Sequence, residues 1–279
     1  MIKIIVSALI LTIFWSQYTI SEQLTFKLNG KIISEYNIMQ LSNIVKPLEI
    51  TIYEPHEQKN RTYFGFPALA ILKDIYKNHL MSNKDLYITC SDGYKPSIPV
   101  VKFLKYDSYL VFKSSNNEKF TIVNKNQNNE FVELKPYFLI WDNLKHPELK
   151  KQGTYDFPYQ IESIDLISFQ DKFPKMSPPV PSSESANSGF IAFRKYCSTC
   201  HTINGEGGSK GVELNYPVNV TEYFEEKWLK LWIENPSSIR FNTKMPGLNL
   251  DIDNIEEVIN NIVEYLKAMK EKKITPDSK

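Results

Sequence analysis

Apolar and polar residues alternate in several short segments of the first two-thirds of the chain. A period of two residues is typical of strands that bury one face. The segments with this pattern are 24–28, 48–53, 86–89, 109–112 and 160–169. The pair Asn29-Gly30 follows the first segment and favours a tight turn there. This part of the chain is therefore predicted to be rich in strands.

One helix is predicted within the same part, from Pro67 to about Asn78. Proline is well tolerated in the first turn of a helix because its fixed φ suits that position. The apolar residues of the segment fall on one helical face: Leu69, Leu72, Ile75 and Tyr76. Together with the strands, this helix predicts a mixed α+β domain.

The last third of the chain has the period of helices instead. A helix is predicted over 255–269, and its apolar stripe consists of Ile255, Val258, Ile259, Ile262, Val263, Leu266 and Met269. Asp253 and Glu256 have capping-box spacing at its start. With almost no strand pattern in this part, the sequence predicts an all-α domain.

Two shorter helices are predicted before the last one. The first carries Gly189, Phe193 and Tyr196 on one stripe, and its glycine would let the last helix cross closely. The second ends at Asn235, before Pro236. Its apolar face consists of Phe224, Trp228, Leu231 and Trp232.

Prolines and small polar residues fill the segment 176–188, which offers little to bury and is predicted to be a linker. It divides the chain into an α+β domain over 22–175 and an all-α domain over 189–273. Both lengths are ordinary for domains. The predicted fold class is therefore a multi-domain protein with these two parts.

The first 21 residues have the pattern of a secretory signal peptide. Lys3 precedes an apolar run over 4–15, and Thr19 and Ser21 place small side chains before a cleavage position after Ser21. The pattern predicts export to the periplasm. The alternative is an uncleaved segment that anchors the protein in the membrane.

Charge and cysteine content exclude several classes of protein. The 33 basic and 32 acidic side chains give a net charge of +1, which argues against a nucleic-acid partner. Three cysteines are too few for a disulfide scaffold. The spacing of two of them is more informative than their number.

The residues Cys197-Ser198-Thr199-Cys200-His201 form the pattern C-x-x-C-H, which is typical of covalent haem attachment. Each thiol can form a thioether with one haem vinyl group, and the histidine can bind the iron. The alternatives are a redox-active dithiol, which would follow a strand, and half of a zinc site, which would need two more ligands. No cysteine or histidine follows His201, so the pattern favours one haem c.

Met245 is the candidate for the second axial position of the iron. It precedes Pro246 and Gly247, which favour an irregular loop that could present the thioether. The alternatives are a methionine on a surface loop and an open iron site that binds gases or peroxide. The upstream histidines His56, His79 and His146 are predicted to be ordinary surface or core residues.

The segment 189–272 resembles the class I cytochrome c family. The matching pieces are Cys197-Ser-Thr-Cys-His201, Asn204-Gly-Glu-Gly-Gly208, Leu214-Asn215, Trp232-Ile-Glu-Asn-Pro236, Lys244-Met-Pro246 and Val263-Glu-Tyr-Leu266. The resemblance implies a small all-α fold, low-spin iron held by His201 and Met245, and electron transfer through an exposed haem edge. Gly211-Val212 stands where the family has a Gly-Pro pair whose proline carbonyl accepts a bond from the proximal histidine. Tyr265 is expected to pack against the helix that leads into the motif.

The upstream domain weakly resembles the sulfite-oxidase-type molybdopterin-binding fold, through Gly65-Phe-Pro-Ala-Leu69 and Asp92-Gly-Tyr94. The family has a cysteine ligand for molybdenum well before the second motif, and several basic residues for the pterin phosphate. Here Cys90 immediately precedes that motif, and Arg61 is the only arginine before the linker. Molybdopterin is therefore not expected. Cys90 is predicted to be a small buried hydrophobe near a strand end.

Taken together, the sequence predicts an exported c-type cytochrome that carries single electrons and is not an enzyme. Its expected partner is a redox protein in the periplasm or membrane, and the upstream domain would serve for docking or structure. The alternative is a molybdenum-dependent oxidoreductase with a fused cytochrome c as electron acceptor.

Overall fold

The computed structural model describes residues 23–115, 118–125, 129–248 and 252–276. The predicted signal peptide over 1–21 lies outside these residues. Within the described residues, no helix combines the length and the hydropathy that crossing a membrane requires.

Strands occur mainly before residue 168. They are β1 (Leu24–Leu28), β2 (Lys31–Tyr36), β3 (Leu48–Glu54), β4 (Lys59–Pro67), β5 (Asp85–Cys90), β6 (Ser97–Pro99), β7 (Ser108–Ser114), β8 (Thr121–Asn124), β9 (Glu130–Glu133), β10 (Phe138–Trp141), β11 (Ile161–Ile167), β12 (Thr202–Ile203) and β13 (Glu206–Gly207). The five strands predicted from alternation are confirmed as β1, β3, β5, β7 and β11.

The described strands form four sheets. A five-stranded sheet has the order β2-β1-β11-β5-β6, in which β1 and β11 are parallel, with Phe26 opposite Ile164, and the other pairs are antiparallel. A four-stranded antiparallel sheet has the order β10-β7-β4-β3. Two hairpins, β8-β9 and β12-β13, form the small sheets.

Helices lie between the strands and in the last third of the chain. They are α1 (Ile38–Ile44), α2 (Ala68–Tyr76), α3 (Val100–Lys105), α4 (Phe169–Lys172), α5 (Glu184–Tyr196), α6 (Val220–Tyr223), α7 (Glu226–Glu234), α8 (Pro236–Ile239) and α9 (Ile255–Met269). The predicted helix after Pro67 is confirmed as α2, whose N-cap is Pro67 itself. The last predicted helix is confirmed as α9.

A first hydrophobic core lies between the two larger sheets and α2. It includes Phe26 from β1, Phe66 from β4, Leu86 from β5 and Trp141 from β10, all of them almost fully buried. Cys90, the last residue of β5, belongs to this core. Its prediction as a small buried hydrophobe near a strand end is confirmed.

A second hydrophobic core joins the last third of the chain to the strands before it. Phe193, Ile262 and Tyr265 pack there with Met176, the first residue of the predicted linker, and with four residues that precede it: Tyr87, Ile167, Phe169 and Phe173. The hydroxyl of Tyr265 donates a hydrogen bond of 2.6 Å to the carbonyl of Met176. The two parts of the chain are therefore built around shared apolar residues.

The prediction of a distinct all-α C-terminal domain is wrong. The chain is a mixed α/β protein, and its last third contains the hairpin β12-β13 and shares its core with β5 and β11. Helical periodicity reports only which face of a helix is buried, so it did not show that upstream residues cover that face. The hairpin was missed because each of its strands has two residues.

The segment predicted to be a linker, 176–188, contains a buried residue at one end and a helical turn at the other. Met176 is fully buried, and α5 begins at Glu184. The side chain of Ser183 caps that helix by accepting a bond of 3.1 Å from the N–H of Ala186.

Helices α5 and α9 cross closely at Gly189, as the sequence predicted. A Cβ atom built on Gly189 would lie 1.8 Å from the carbonyl oxygen of Asn261, so only glycine fits at this crossing.

The predicted capping box of α9 is wrong. Its N-cap is Asn254, in the left-handed region with φ of 55°, and the carboxylate of Asp253 pairs with Lys151 instead.

Candidate functional site

The cysteine motif forms a tight turn at the end of α5. The N–H of Cys197 donates to the carbonyl of Phe193 at 2.8 Å, which makes Cys197 the C-cap of the helix. The carbonyl of Cys197 then accepts from the N–H groups of Cys200, at 3.0 Å, and of His201, at 2.8 Å. The whole motif is thus held by backbone hydrogen bonds that continue from the helix.

Glycines let the following residues wrap closely around this turn. A Cβ on Gly208 would lie 2.0 Å from the carbonyl oxygen of Thr199, and one on Gly211 would lie 2.6 Å from the ring of His201. Gly207 has a φ of 126°, which L-residues rarely adopt. We call the segment 197–212 the motif loop.

His201 is oriented by a backbone carbonyl. Its Nδ1 lies 2.8 Å from the carbonyl oxygen of Val212, and because that oxygen can only accept, the N–H is on Nδ1 and Nε2 carries the lone pair. Burial lowers the pKa of His201, an effect opposed by the bond to Val212 and the charge of Glu213. A neutral imidazole with a fixed tautomer is the form that binds a metal ion.

The two motif cysteines are free thiols and half-buried. Burial raises the pKa of Cys197 to about 12 and also raises the pKa of Cys200. Both side chains are therefore uncharged thiols near neutral pH.

Met245 lies in a loop that packs against the end of α7. The indole N–H of Trp232 donates to the Sδ atom of Met245 at 3.0 Å, and the N–H of Leu248 donates to the carbonyl of Ile233 at 3.2 Å. These bonds fix the thioether on the α7 side of the loop. The next residue, Pro246, lines a cavity together with Cys200, so this loop lies beside the motif loop.

Residues before 176, which we call the upstream region, contact the motif loop directly. Asp92 forms an ion pair with Lys210, and two backbone bonds accompany it: Lys95 N–H to the carbonyl of Thr199 at 2.8 Å, and Ser209 N–H to the carbonyl of Gly93 at 3.2 Å. Sequence reasoning missed these contacts. The sequence of the turn Asp92-Gly93-Tyr94 resembles a motif of another family, and that resemblance does not indicate a contact with the motif loop.

Aromatic side chains fill the space between the upstream region and the motif loop. The rings of Tyr155 and Tyr196 meet edge to face with centroids 4.9 Å apart. Burial raises the pKa of Tyr94 and Tyr155 far above the ordinary tyrosine value. These phenols stay uncharged and present an apolar surface to the motif.

The upstream residues considered for molybdopterin have other partners. The guanidinium of Arg61 contacts the carboxylate of Glu57 at 2.5 Å and that of Glu118 at 3.1 Å. Burial raises the pKa of the Cys90 thiol well above its ordinary value, which disfavours the thiolate that would bind a metal. These residues do not fit the cofactor.

Across residues 23–115, 118–125, 129–248 and 252–276, no group of three or more histidine, cysteine and acidic side chains is arranged to hold a metal ion. The three other histidines have separate surroundings. His56 is buried beside Glu54, His146 contacts Asp107, and His79 ends a short helical turn after α2.

No protein-family model matches the chain, and a search of curated protein sequences found no match.

Proposed function

We propose that this protein is a c-type cytochrome that transfers single electrons through one covalently bound haem. The observation that carries the proposal is the bond from Nδ1 of His201 to the carbonyl of Val212 within the C-x-x-C-H turn. It leaves Nε2 of a neutral imidazole available beside two thiols at the spacing used for haem attachment. When bound, the haem would supply an iron that alternates between its ferric and ferrous states.

Four side chains of the chain would hold the haem. Cys197 and Cys200 would hold it by thioether bonds, and His201 and Met245 would bind its iron. The carbonyl of Val212 keeps the proton on Nδ1 of His201, and Trp232 fixes the sulfur of Met245. Because two side chains would bind the iron, it would have no free position for a substrate, so we propose an electron carrier and not an enzyme.

The position of the motif supports haem attachment over a thioredoxin-type dithiol. A thioredoxin-type dithiol would follow a strand, whereas Cys197 is the C-cap of helix α5. The molybdenum alternative has no support from Arg61, whose guanidinium is engaged by two carboxylates. Export to the periplasm and a redox protein as partner remain part of the proposal, on the pattern of residues 1–21.

The proposal is tested by expressing the full chain together with a cytochrome c maturation system. We expect one haem per chain that survives denaturation, a low-spin spectrum in both oxidation states, and no change on adding carbon monoxide to the reduced protein. Molybdenum measured on the same sample should be absent. A chain without covalent haem, or stoichiometric molybdenum, would contradict the proposal.

We further propose that the upstream region has a structural role, covering one side of the haem site. The contacts between Asp92 and Lys210 and between Lys95 and Thr199 hold it against the motif loop. Arg194 of α5 also pairs with Asp85 of β5. The aromatic surface held in place by these contacts would exclude water from the side of the haem at Cys200.

The substitution Asp92→Asn tests this covering role. Asparagine preserves the acceptor for the N–H of Tyr94, 3.0 Å away, but removes the ion pair with Lys210. If the ion pair holds the upstream region against the motif loop, its loss admits water to the haem. Water stabilises the more highly charged ferric state, so the reduction potential falls. The direct effect of removing a negative charge is opposite, because it raises the potential.

The sign of the change in reduction potential therefore decides whether the main role of the ion pair is to exclude water or whether the Asp92 carboxylate acts only through its charge. A matched control is Asp107→Asn, which removes a carboxylate that contacts Lys145 and His146 elsewhere in the upstream region. Its potential should equal that of the unmodified protein. A raised potential in Asp92→Asn would show that the ion pair does not keep water out.

A further inference from the structure

The carbonyl group that orients His201 belongs to an exposed residue. The carbonyl oxygen of Val212 lies 2.8 Å from Nδ1 of His201, yet Val212 is 66% exposed. Apolar packing therefore does not hold Val212 in place. A carbonyl group in such a loop keeps its position only if hydrogen bonds hold the backbone beside it. The next residue, Glu213, makes bonds of this kind.

The carboxylate of Glu213 accepts four hydrogen bonds from backbone N–H groups. Its Oε1 accepts from Asn204 at 2.8 Å, from Asn215 at 2.9 Å and from Tyr216 at 3.1 Å. Its Oε2 accepts from Gly205 at 2.9 Å. Hydrogen bonds to an ionised acceptor are stronger than those between neutral groups. The carboxylate thus joins the chain around Glu213 to the turn at Asn204 and Gly205.

This turn is in turn fixed to the rest of the protein by the side chain of Asn204, which is fully buried. Its Nδ2 donates to the carbonyl of Lys175 at 3.1 Å and to that of Lys272 at 2.9 Å. Its Oδ1 accepts from the N–H of Ile274 at 3.1 Å. The partners of Glu213 at the turn are therefore held by segments that precede α5 and follow α9.

Backbone bonds connect Glu213 to the pair of His201 and Val212. Thr202 and Glu213 form an isolated parallel β-bridge, and the N–H of Leu214 donates to the carbonyl of Thr202 at 3.0 Å. Thr202 directly follows His201, and Glu213 directly follows Val212. Both residues of the pair are therefore adjacent to a residue of this bridge, and the Glu213 carboxylate holds one side of it.

We propose that Glu213 is a positioning residue for His201, because its carboxylate holds the carbonyl of Val212 where that carbonyl accepts the Nδ1–H bond. The inference rests on the proposed function, since the haem iron is the group that His201 would bind through Nε2. A hydrogen bond donated by Nδ1 makes the imidazole a more basic ligand. A more basic ligand favours ferric iron, so Glu213 would lower the reduction potential.

The test compares the rates at which the Nδ1–H of His201 exchanges with solvent, followed by nuclear magnetic resonance on the reduced, haem-loaded protein. Glu213→Ala removes all four bonds, so the exchange should be at least about tenfold faster. Glu213→Gln keeps an oxygen that can accept from Asn204, Asn215 and Tyr216, so its rate should lie between those of Glu213→Ala and the unmodified protein. Covalent haem should remain in both variants, since the motif cysteines are unchanged.

The reduction potentials of the two variants separate positioning from charge. Both variants remove the same negative charge, which raises the potential in each. Glu213→Ala also releases the carbonyl of Val212, which makes His201 a less basic ligand and raises the potential further. We therefore expect a higher potential in Glu213→Ala than in Glu213→Gln. Equal potentials would show that Glu213 acts only through its charge, and would overturn the proposal.

Glu206→Ala is the matched control for the exchange rate. The carboxylate of Glu206 also accepts from backbone N–H groups, but these belong to Lys175, at 2.8 Å, and Met176, at 3.2 Å, in the segment before α5. This variant should exchange the Nδ1–H at the unmodified rate. An unchanged rate in Glu213→Ala, or an equal acceleration in Glu206→Ala, would overturn the proposal.

Failure of this inference and failure of the proposed function give different results. An unmodified chain without covalent haem would contradict the proposed function, and its absorption spectrum shows this before any variant is compared. The role of Glu213 is decided by differences between variants that carry the same amount of haem.

Discussion

Replacing Cys197 and Cys200 together with alanine is expected to abolish covalent haem attachment. The two thioether bonds would be the covalent links between haem and chain, and both cysteines lie in the turn that presents His201. The variant should be produced without the mass of a haem and without haem staining after denaturing electrophoresis. The unmodified chain, matured in the same cells, should carry one haem.

Cys90→Ala is the matched control, because it removes the third cysteine of the chain. Cys90 is buried at the end of β5, so its loss should cost about 1 kcal/mol of stability and leave the haem content unchanged. Haem that stays on the double variant through denaturation would refute attachment at the motif. If the Cys90 variant lost its haem and the double variant kept it, the haem would be attached through Cys90 and not through Cys197 and Cys200.

The elements that the sequence predicted well are those whose burial pattern is local. Helix α9 has its apolar residues at helical spacing along one stripe, and β1 alternates over its whole length, so each pattern is complete within its own segment. Strand β2 was missed because it is an edge strand. Its Ile32 and Ile33 are both exposed, which removes the alternation.

The prediction of a distinct all-α C-terminal domain was wrong because a pattern within one segment does not show which other residues pack against it. The apolar stripe of α9 is visible in the sequence, but what covers it is not, because it packs with Phe173, which precedes the predicted linker, and with Met176, the first residue of the linker. The composition of the segment 176–188 favoured a linker. Tertiary packing nevertheless buries Met176 within that segment, and periodicity carries no information on such contacts.

The candidate site also combines features that are local in the sequence, which could be predicted, with contacts between distant residues, which could not. The C-x-x-C-H motif is contiguous and could be recognised directly, and the turn that it forms is held by bonds between near neighbours. The bond between Trp232 and Met245 was not predicted, since Trp232 was assigned only to an apolar helix face. The ion pair of Asp92 with Lys210 joins residues 118 positions apart, which no local pattern reveals.

Replacing Met245 with alanine is expected to open one axial position of the haem iron. Alanine has no atom that can bind iron, so the reduced variant should bind one carbon monoxide per haem, which the unmodified protein should not do. The reduction potential should fall, because a thioether ligand favours ferrous iron. Covalent haem should remain, because Cys197 and Cys200 are unchanged. Absorption spectra with and without carbon monoxide, and a redox titration, measure these effects.

Two further variants make the interpretation of that result specific to Met245. Met81→Ala removes a half-exposed methionine of the upstream region and should bind no carbon monoxide. Trp232→Phe keeps an aromatic ring but removes the N–H that lies 3.0 Å from the sulfur, so it should retain the methionine ligand in a less fixed orientation and shift the potential less than Met245→Ala. If Met245→Ala stayed low-spin and indifferent to carbon monoxide, another side chain would occupy the axial position. Because no histidine follows His201, that ligand would have to come from the upstream region or from a residue other than histidine.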